Sequence, residues 1–240
     1  MAALGEVAGS IAHEINTPLA AIQATTEQLA DVLGDEVMDR ALLAEMVVRV
    51  QKMTRRLVEI IAGLKSFSRN EAQQPMRTVA LEEIISETTV LCAEKFKNTG
   101  VELRTASSFD CELRCHPTQI SQVLLNLLNN ACDAVAKLPE ERWVALKLEP
   151  CREDRWIEVS ITDSGPGIPE EIRRKLFQPF FTTKGIGKGT GLGLSLSKKI
   201  VEAHGGTLAL DETSRTTRFV MRIPTLGTAS RRPTPQGEVA

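Results

Sequence analysis

The strongest constraint on this chain is an apolar pattern too narrow to close a core alone. From Leu4 to about Phe67, apolar residues recur in alternating steps of three and four. The first set is Leu4, Ala8, Ile11, Ile15, Ile22 and Leu29; the second is Leu43, Met46, Val50, Met53, Leu57, Ile60, Leu64 and Phe67. Such spacing paints one stripe along an α-helix. "LGDE" (Leu33 to Glu36) interrupts the pattern and reads as a turn. Two helices folded into a hairpin bury one seam each, which is too little core to stand alone. Pairing two hairpins into a four-helix bundle cures this, so a homodimer is expected.

After Phe67 the grammar changes. "SRNEAQQPM" (Ser68 to Met76) is polar, ends near a proline and reads as a linker. Leu81 to Lys97 and Pro117 to Ala136 have helical spacing, with Pro117 suited to a first turn. "VELRTA", "WVALKLEP" and "WIEVSITD" read as strands, Gly191 to His204 as a helix, and "GTLALDE" with "RTTRFVMRIP" as a closing hairpin. Helices and strands mix without regular alternation, which predicts an α+β unit with helices on one face of a sheet. The expected domains are a hairpin over 1–69, a linker over 70–76, an α/β unit over 77–224 and a disordered tail over 225–240.

Composition narrows the partners. The chain has 240 residues and a net charge of -2, which gives no electrostatic case for nucleic acid. No apolar run is long enough to span a bilayer, and no signal-peptide pattern opens the chain. The five cysteines form no CxxC pair, so reduced thiols in the cytoplasm are expected. Cys111, Cys115 and His116 fall close together, but their spacing is poor and no fourth ligand is evident, so zinc is not expected. The chain starts within or just before the first helix, so a sensor region is expected outside it.

Four clusters in the second region carry chemistry. In "NLLNNA", Asn126 and Asn130 share one helix face, with Asp133 on a neighbouring part of it. Asparagine is a poor interior helix residue. A carboxamide oxygen suits Mg²⁺, although a solvated polar face would read the same way. "DSGPGIP" (Asp163 to Pro169) follows a strand: an Asp there can accept from an adenine amine, or the segment is a plain turn. "LFQPFFTTK" (Leu176 to Lys184) holds Phe177, Phe180 and Phe181, either a loop anchor or simple core. "GIGKGTGLGLSL" (Gly185 to Leu196) has glycine at every second position as far as Gly193 and leads into an apolar helix. It reads as a mobile lid before a helix N-terminus suited to phosphate, with a flexible linker as the alternative. It is neither a Walker A loop nor a GxGxxG after a strand.

Taken in order, these clusters together with "HEINTP" (His13 to Pro18) resemble a bacterial sensor histidine kinase from Leu4 to about Pro224. "HEINTP" is similar to the phosphoacceptor motif, and the other clusters to the asparagine, first glycine, phenylalanine and second glycine boxes. The resemblance implies a dimerisation hairpin followed by a Bergerat-type α/β sandwich that binds ATP and Mg²⁺. It implies that Asn130 ligates Mg²⁺, Asn126 lines the phosphate end and Asp163 binds the adenine amine. Gly165 and Gly167 would shape the adenine pocket, and Phe180, in the phenylalanine box, would be among the cofactor-binding residues. Gly189, Gly191 and Gly193 would form the lid, with Thr190 and Leu192 among the cofactor-binding residues. Lys184 either adds positive charge near the γ-phosphate or is a solvated lysine. The family usually has Asp where this chain has His116; that position is not among the implied ATP ligands.

His13 lies two residues from both Ile11 and Ile15, about 200° around the helix from either, so it should face solvent. An unprotonated ring nitrogen can accept a phosphoryl group while Glu14 takes the proton from the other nitrogen or holds the tautomer. Pro18 gives no amide to the Glu14 carbonyl and should loosen the helix one turn past His13. Thr17 shares His13's face; the resemblance implies that its hydroxyl orients a water to dephosphorylate a partner. The expected function is autophosphorylation of His13 and transfer to an aspartate of a response-regulator receiver domain. A nucleotide-gated scaffold without chemistry and a gyrase-like ATPase are the rivals.

Overall fold

The computed structural model describes residues 2–34, 39–68, 75–107, 109–139, 141–151, 155–184, 190–227 and 230–231. The chain divides into two compact units, Met1–Asn70 with Gln178–Gly193, and Glu71–Phe177 with Leu194–Ala240.

The first unit is built on two long helices packed on each other, α1 (Ala2–Gly34) and α2 (Arg40–Ser68). Asp39 starts α2: its Oδ1 accepts from the N–H groups of Ala41 (2.9 Å) and Leu42 (3.2 Å), satisfying two amides that the helix cannot. The seam is visible in the burial. Ile15, Ile22 and Leu29 on α1, and Leu43, Met46, Val50, Met53 and Leu57 on α2, are half-buried. Two residues outside the expected seam join it, since Pro18 and Thr25 are the buried positions among the described side chains of α1. Helix α1 is continuous through Pro18. Thr25 offsets its own polarity by donating its hydroxyl to the Ala21 carbonyl at 2.7 Å. Leu19, Leu42, Val47, Val48, Val58 and Ile61 remain exposed, which is the residue of a seam too narrow for its helices.

The second unit is a five-stranded sheet backed by helices. Its strands are β2 (Glu102–Ser107), β5 (Trp143–Pro150), β6 (Trp156–Asp163), β7 (Thr207–Leu210) and β8 (Arg218–Pro224), in the order β2-β5-β6-β8-β7. The β2–β5 pair is parallel and the others are antiparallel. Alternation sorts the faces. Val144, Leu146 and Leu148, Ile157, Val159 and Ile161, and Phe219, Met221 and Ile223 point inward and are buried. Glu149, Glu158, Arg218 and Arg222 line the other face, joined as ion pairs around Arg218 and Glu158.

Helices α3 (Leu81–Thr99) and α4 (Pro117–Val135) pack on each other; α3 also meets β2, and α4 meets β5 and β6. Pro117 opens α4 because a first-turn residue needs no amide hydrogen. Ile120, Val123, Leu124, Leu127, Leu128, Ala131, Cys132 and Val135 are then buried at helical spacing. Gly100 stops α3 in the left-handed conformation (φ 65°), where a side chain would strain. Arg142 Nη1 donates to the carbonyls of Thr99 and Ala136, both at 3.3 Å, closing the ends of α3 and α4 together. Helix α6 (Gly193–Ala203) starts two residues later than expected, because Gly191 has φ 66° and cannot be helical.

Five short elements were not expected. Strand β1 (Arg77–Ala80) pairs antiparallel with β4 (Glu112–Cys115), and helix α5 is the single turn Glu170–Arg173. The segment after Pro224 does not fall away as a disordered tail at once. Thr225 and Leu226 donate their N–H groups to Arg155 and Glu112 carbonyls at 2.8 and 2.9 Å, and β9 (Ser230–Arg231) pairs with β3 (Phe109–Asp110). Composition could not show this, because the acceptors lie far away in sequence. Residues 228–229 and 232–240 of the expected tail, residue 69 and residues 70–74 of the expected linker lie outside the described residues.

Two outcomes follow. Leu124 is wholly buried on α4, so Leu124→Ala should lower stability by about 2–5 kcal/mol. Urea unfolding followed by the fluorescence of Trp143 and Trp156 measures it. On the outer face, bonds from the Thr213 hydroxyl and then from Arg218 pull the Asp211 pKa from 3.8 down to about 2. A depressed carboxylate contributes stability above its ordinary pKa and loses it as pH falls through the folded value. Asp211→Asn should therefore flatten the loss of stability between about pH 4 and pH 2, read as melting temperature against pH.

Candidate functional site

The inward face of α4 seats the helix on the sheet, so its polar side is left for other work. Asn126, Asn129 and Asn130 on that side are half-buried. Asn126 Nδ2 donates to Ser197 Oγ on α6 at 2.9 Å. Asn130 Nδ2 donates to Asn126 Oδ1 at 3.3 Å. Asn126 is thus engaged at both ends of its carboxamide, while Asn130, whose carboxamide also carries an acceptor oxygen, turns its nitrogen toward Asn126. A neutral, hard oxygen of this kind fits a Mg²⁺ ion whose other positions are filled by phosphate and water. Ser197, itself buried, had no signal in the sequence beyond its place in an amphipathic helix.

At the end of β6 the carboxylate of Asp163 is 2 % exposed. Its Oδ1 accepts the Gly165 N–H at 2.9 Å, and its own N–H donates to the Thr217 carbonyl at 3.0 Å. Burial pushes its pKa up, opposed by the bonds from the Gly165 amide and the Thr217 side chain. A buried acceptor held by so few donors suits a ligand amine. A Cβ on Gly165 would sit 2.8 Å from Asp163 Oδ1 and 3.7 Å from Val135 Cγ1, so glycine lets this loop lie against both its own carboxylate and α4. Gly167 has φ 83° and a Cβ there would reach the Arg215 carbonyl at 3.2 Å. Thr217 is a site residue that sequence reasoning missed; its only signal was an inward-facing polar residue just before β8.

The phenylalanine segment splits between the units. Phe177 belongs to the sheet unit, where its ring meets Phe219 edge-on at 6.3 Å and Lys198 Nζ lies 5.1 Å from the ring centre. In the other unit, Phe180 has φ 64°, rare for a side-chain-bearing residue. Gly191 lies against it so closely that a Cβ would collide with the Phe180 carbonyl group. Nearby, Thr190 Oγ1 accepts the N–H of Leu192 at 3.4 Å, and Leu192 is 3 % exposed. Lys184 is half-buried, and its N–H donates to Thr182 Oγ1 at 3.1 Å. Gly193 is the first residue of α6. Gly189 lies outside the described residues, as do the side chains of His13 and Glu14; Thr17 is exposed on α1.

His116, the departure in the sequence, caps α4 without a side-chain bond. Its main-chain N–H instead donates to His204 Nε2 at 3.0 Å, while His204 Nδ1 donates to the Ile200 carbonyl at 2.7 Å. Both ring nitrogens of His204 are used by the neutral tautomer, and burial lowers its pKa. The start of α4 is therefore tied to the end of α6, as Asn126 ties their middles.

Two family models match the chain in the same order as these parts. Residues 3–73 match the His Kinase A (phospho-acceptor) domain, and residues 115–227 match the histidine kinase-, DNA gyrase B- and HSP90-like ATPase. A solved structure described as the catalytic domain of histidine kinase ThkA is 35% identical, with 63% of this chain and 96% of that one covered and a TM-score of 0.54. The chain belongs to the histidine kinase family. A structure of histidine kinase ThkA in complex with response regulator protein TrrA is 28% identical, covering 92% of this chain and 61% of that one, with a TM-score of 0.71. The two-component sensor PprA of Pseudomonas aeruginosa is 33% identical over 93% of this kinase-family chain, and the sensor protein FixL of Bradyrhizobium diazoefficiens 34% identical over 87%. The chain spans only 24% and 41% of those two relatives' lengths. Among the described residues, no helix is long and apolar enough to cross a membrane.

Because the folded pKa of Asp163 is raised, its ionised form costs stability at neutral pH, a cost that grows as pH rises through that value. Asp163→Asn should leave the melting temperature of the nucleotide-free protein unchanged or higher. The same variant should weaken adenine-nucleotide binding at least about tenfold, since the carboxamide presents a donor where an amine needs an acceptor. Calorimetric titration with ADP beside a thermal melt separates the two.

Proposed function

We propose that this chain is the catalytic core of a sensor histidine kinase, which uses Mg-ATP to phosphorylate His13 and passes the group to an aspartate of a response-regulator receiver domain. The observation that carries the reading is one chain holding both parts: a helix with an acceptor-type "HEINTP", and a sheet domain with a buried carboxylate and a carboxamide face. Neither an ATP-gated scaffold nor a gyrase-like ATPase gives the first part a purpose. Residues 1–69 form the dimerisation and acceptor hairpin, 70–76 the linker and 77–224 the nucleotide-binding domain.

In this reading Asp163 accepts a hydrogen bond from the adenine amine, with Thr217 and Gly165 holding the carboxylate in place. Gly165 and Gly167 let the backbone approach the base, and Phe180 takes the role of the phenylalanine-box residue. Asn126 lines the phosphate end, and Asn130 holds Mg²⁺, which neutralises phosphate charge when bound. Gly189, Thr190, Gly191, Leu192 and Gly193 take the role of lid residues, and Lys184 that of a cation for the nucleotide's phosphates. An unprotonated nitrogen of His13 forms the new N–P bond as the bond from phosphorus to the ADP oxygen breaks. Glu14 accepts the proton leaving the other ring nitrogen. The same core removes phosphate from its partner when Thr17 orients a water.

The exposed apolar residues of the hairpin support a homodimer, since a second hairpin would cover them. The five cysteines form no CxxC pair, which suits reduced thiols in a cytoplasmic setting. Incubation with γ-labelled ATP tests the kinase reading: acid-labile, base-stable label is expected on the wild type and should vanish in His13→Ala and fall at least about tenfold in Asn130→Ala. Label that persists in His13→Ala would overturn the assignment. Thr17→Ala should keep autophosphorylation and lose phosphatase activity, measured as decay of a phosphorylated receiver domain.

A further inference from the structure

We propose that Lys95 and Asp133 form a charge pair that sets how strongly nucleotide binding depends on a divalent cation, an inference that rests on the Asn126–Asn130 face being the phosphate end. Asp133 lies seven residues beyond Asn126 on α4. At 3.6 residues per turn that is two turns, returning to within about 20° of the same line. It also lies three residues beyond Asn130, hence one turn along, with Cβ atoms about 5–6 Å apart. A bare carboxylate there would repel a polyphosphate and compete with Asn130 for a cation.

The fold answers from another helix. Lys95, on α3, places Nζ 2.6 Å from Asp133 Oδ1 and also donates to the main-chain carbonyl of Asn129 at 3.3 Å. The ammonium is therefore held at the turn that carries the asparagines. The two side chains are 35% and 38% exposed. A pair so wet adds little to stability, which leaves its charge as its main effect. Because the carboxylate and ammonium cancel, that turn presents no net charge to the phosphates, and the divalent cation does the neutralising.

Removing either partner should therefore move metal dependence in opposite directions. Lys95→Met leaves a negative charge: binding of metal-free nucleotide should weaken about threefold or more at low salt, and the gain on adding MgCl₂ should grow. Asp133→Asn leaves a positive charge: metal-free binding should tighten by a similar factor, and the MgCl₂ gain should shrink. The double variant should return toward the wild type. The measurement is titration of the intact chain with a fluorescent ATP analogue, in EDTA and in MgCl₂, beside thermal melts. A pair that only braces α3 against α4 would lower the melting temperature in both single variants and leave the ratio of the two affinities unchanged, which overturns the inference. Wild-type protein that binds no nucleotide overturns the ATP reading and this inference together; wild-type binding with no split between the single variants overturns this one alone.

Discussion

The seat of α4 on the sheet is the constraint on which the nucleotide end depends. Its apolar face sinks Ile120, Val123, Leu124 and Leu128 to zero exposure. Burial of each such side chain contributes about 1.5–3 kcal/mol. With that face committed to β5 and β6, the helix cannot rotate without lifting several fully buried residues into water. The opposite face therefore has a fixed direction, and Asn126 and Asn130 are aimed by hydrophobic packing before any polar contact acts. The polar ties then refine what the core has set: Ser197 on Asn126, His204 on the amide of His116, and Lys95 on Asp133.

The Asp163 site follows a different logic. Here a strand end carries a carboxylate into a buried place where it is costly. Glycine at 165 is required because any Cβ would crowd that carboxylate, and the amide of the same residue supplies a donor to it. The surrounding fold bears the cost of a group that would be more stable neutral. Such a local loss suits a position that gains from a ligand. The Phe180–Gly191 contact shows the same economy of space, with two left-handed residues pressed backbone to backbone.

Much of this was legible in the chain. The heptad seam of α2, the amphipathic stripe of α4 and the alternation of β5, β6 and β8 announce their own secondary structure, because each is a period set by local geometry. Asn126 and Asn130, one turn apart on one helix, and the glycines after Asp163 were readable for the same reason. Pro18 was less so: a breaker by propensity, it sits buried in the seam of an unbroken helix, because packing outweighs one lost amide bond. The left-handed Gly191 delayed α6, a decision made by a backbone angle rather than by hydropathy.

By itself the sequence determined which of the longer segments are helix or strand, the order of the motifs and the chemical character of each face, since all of these depend on neighbours a few residues apart. Only the tertiary structure decided the partners: Thr217 beside Asp163, Ser197 on Asn126 across 71 positions, His204 under His116 across 88, and β9 laid along β3. A hydrogen bond or an ion pair reaches only a few ångströms. Nothing in a linear period says which distant residue will arrive within that reach; the packing of the core does.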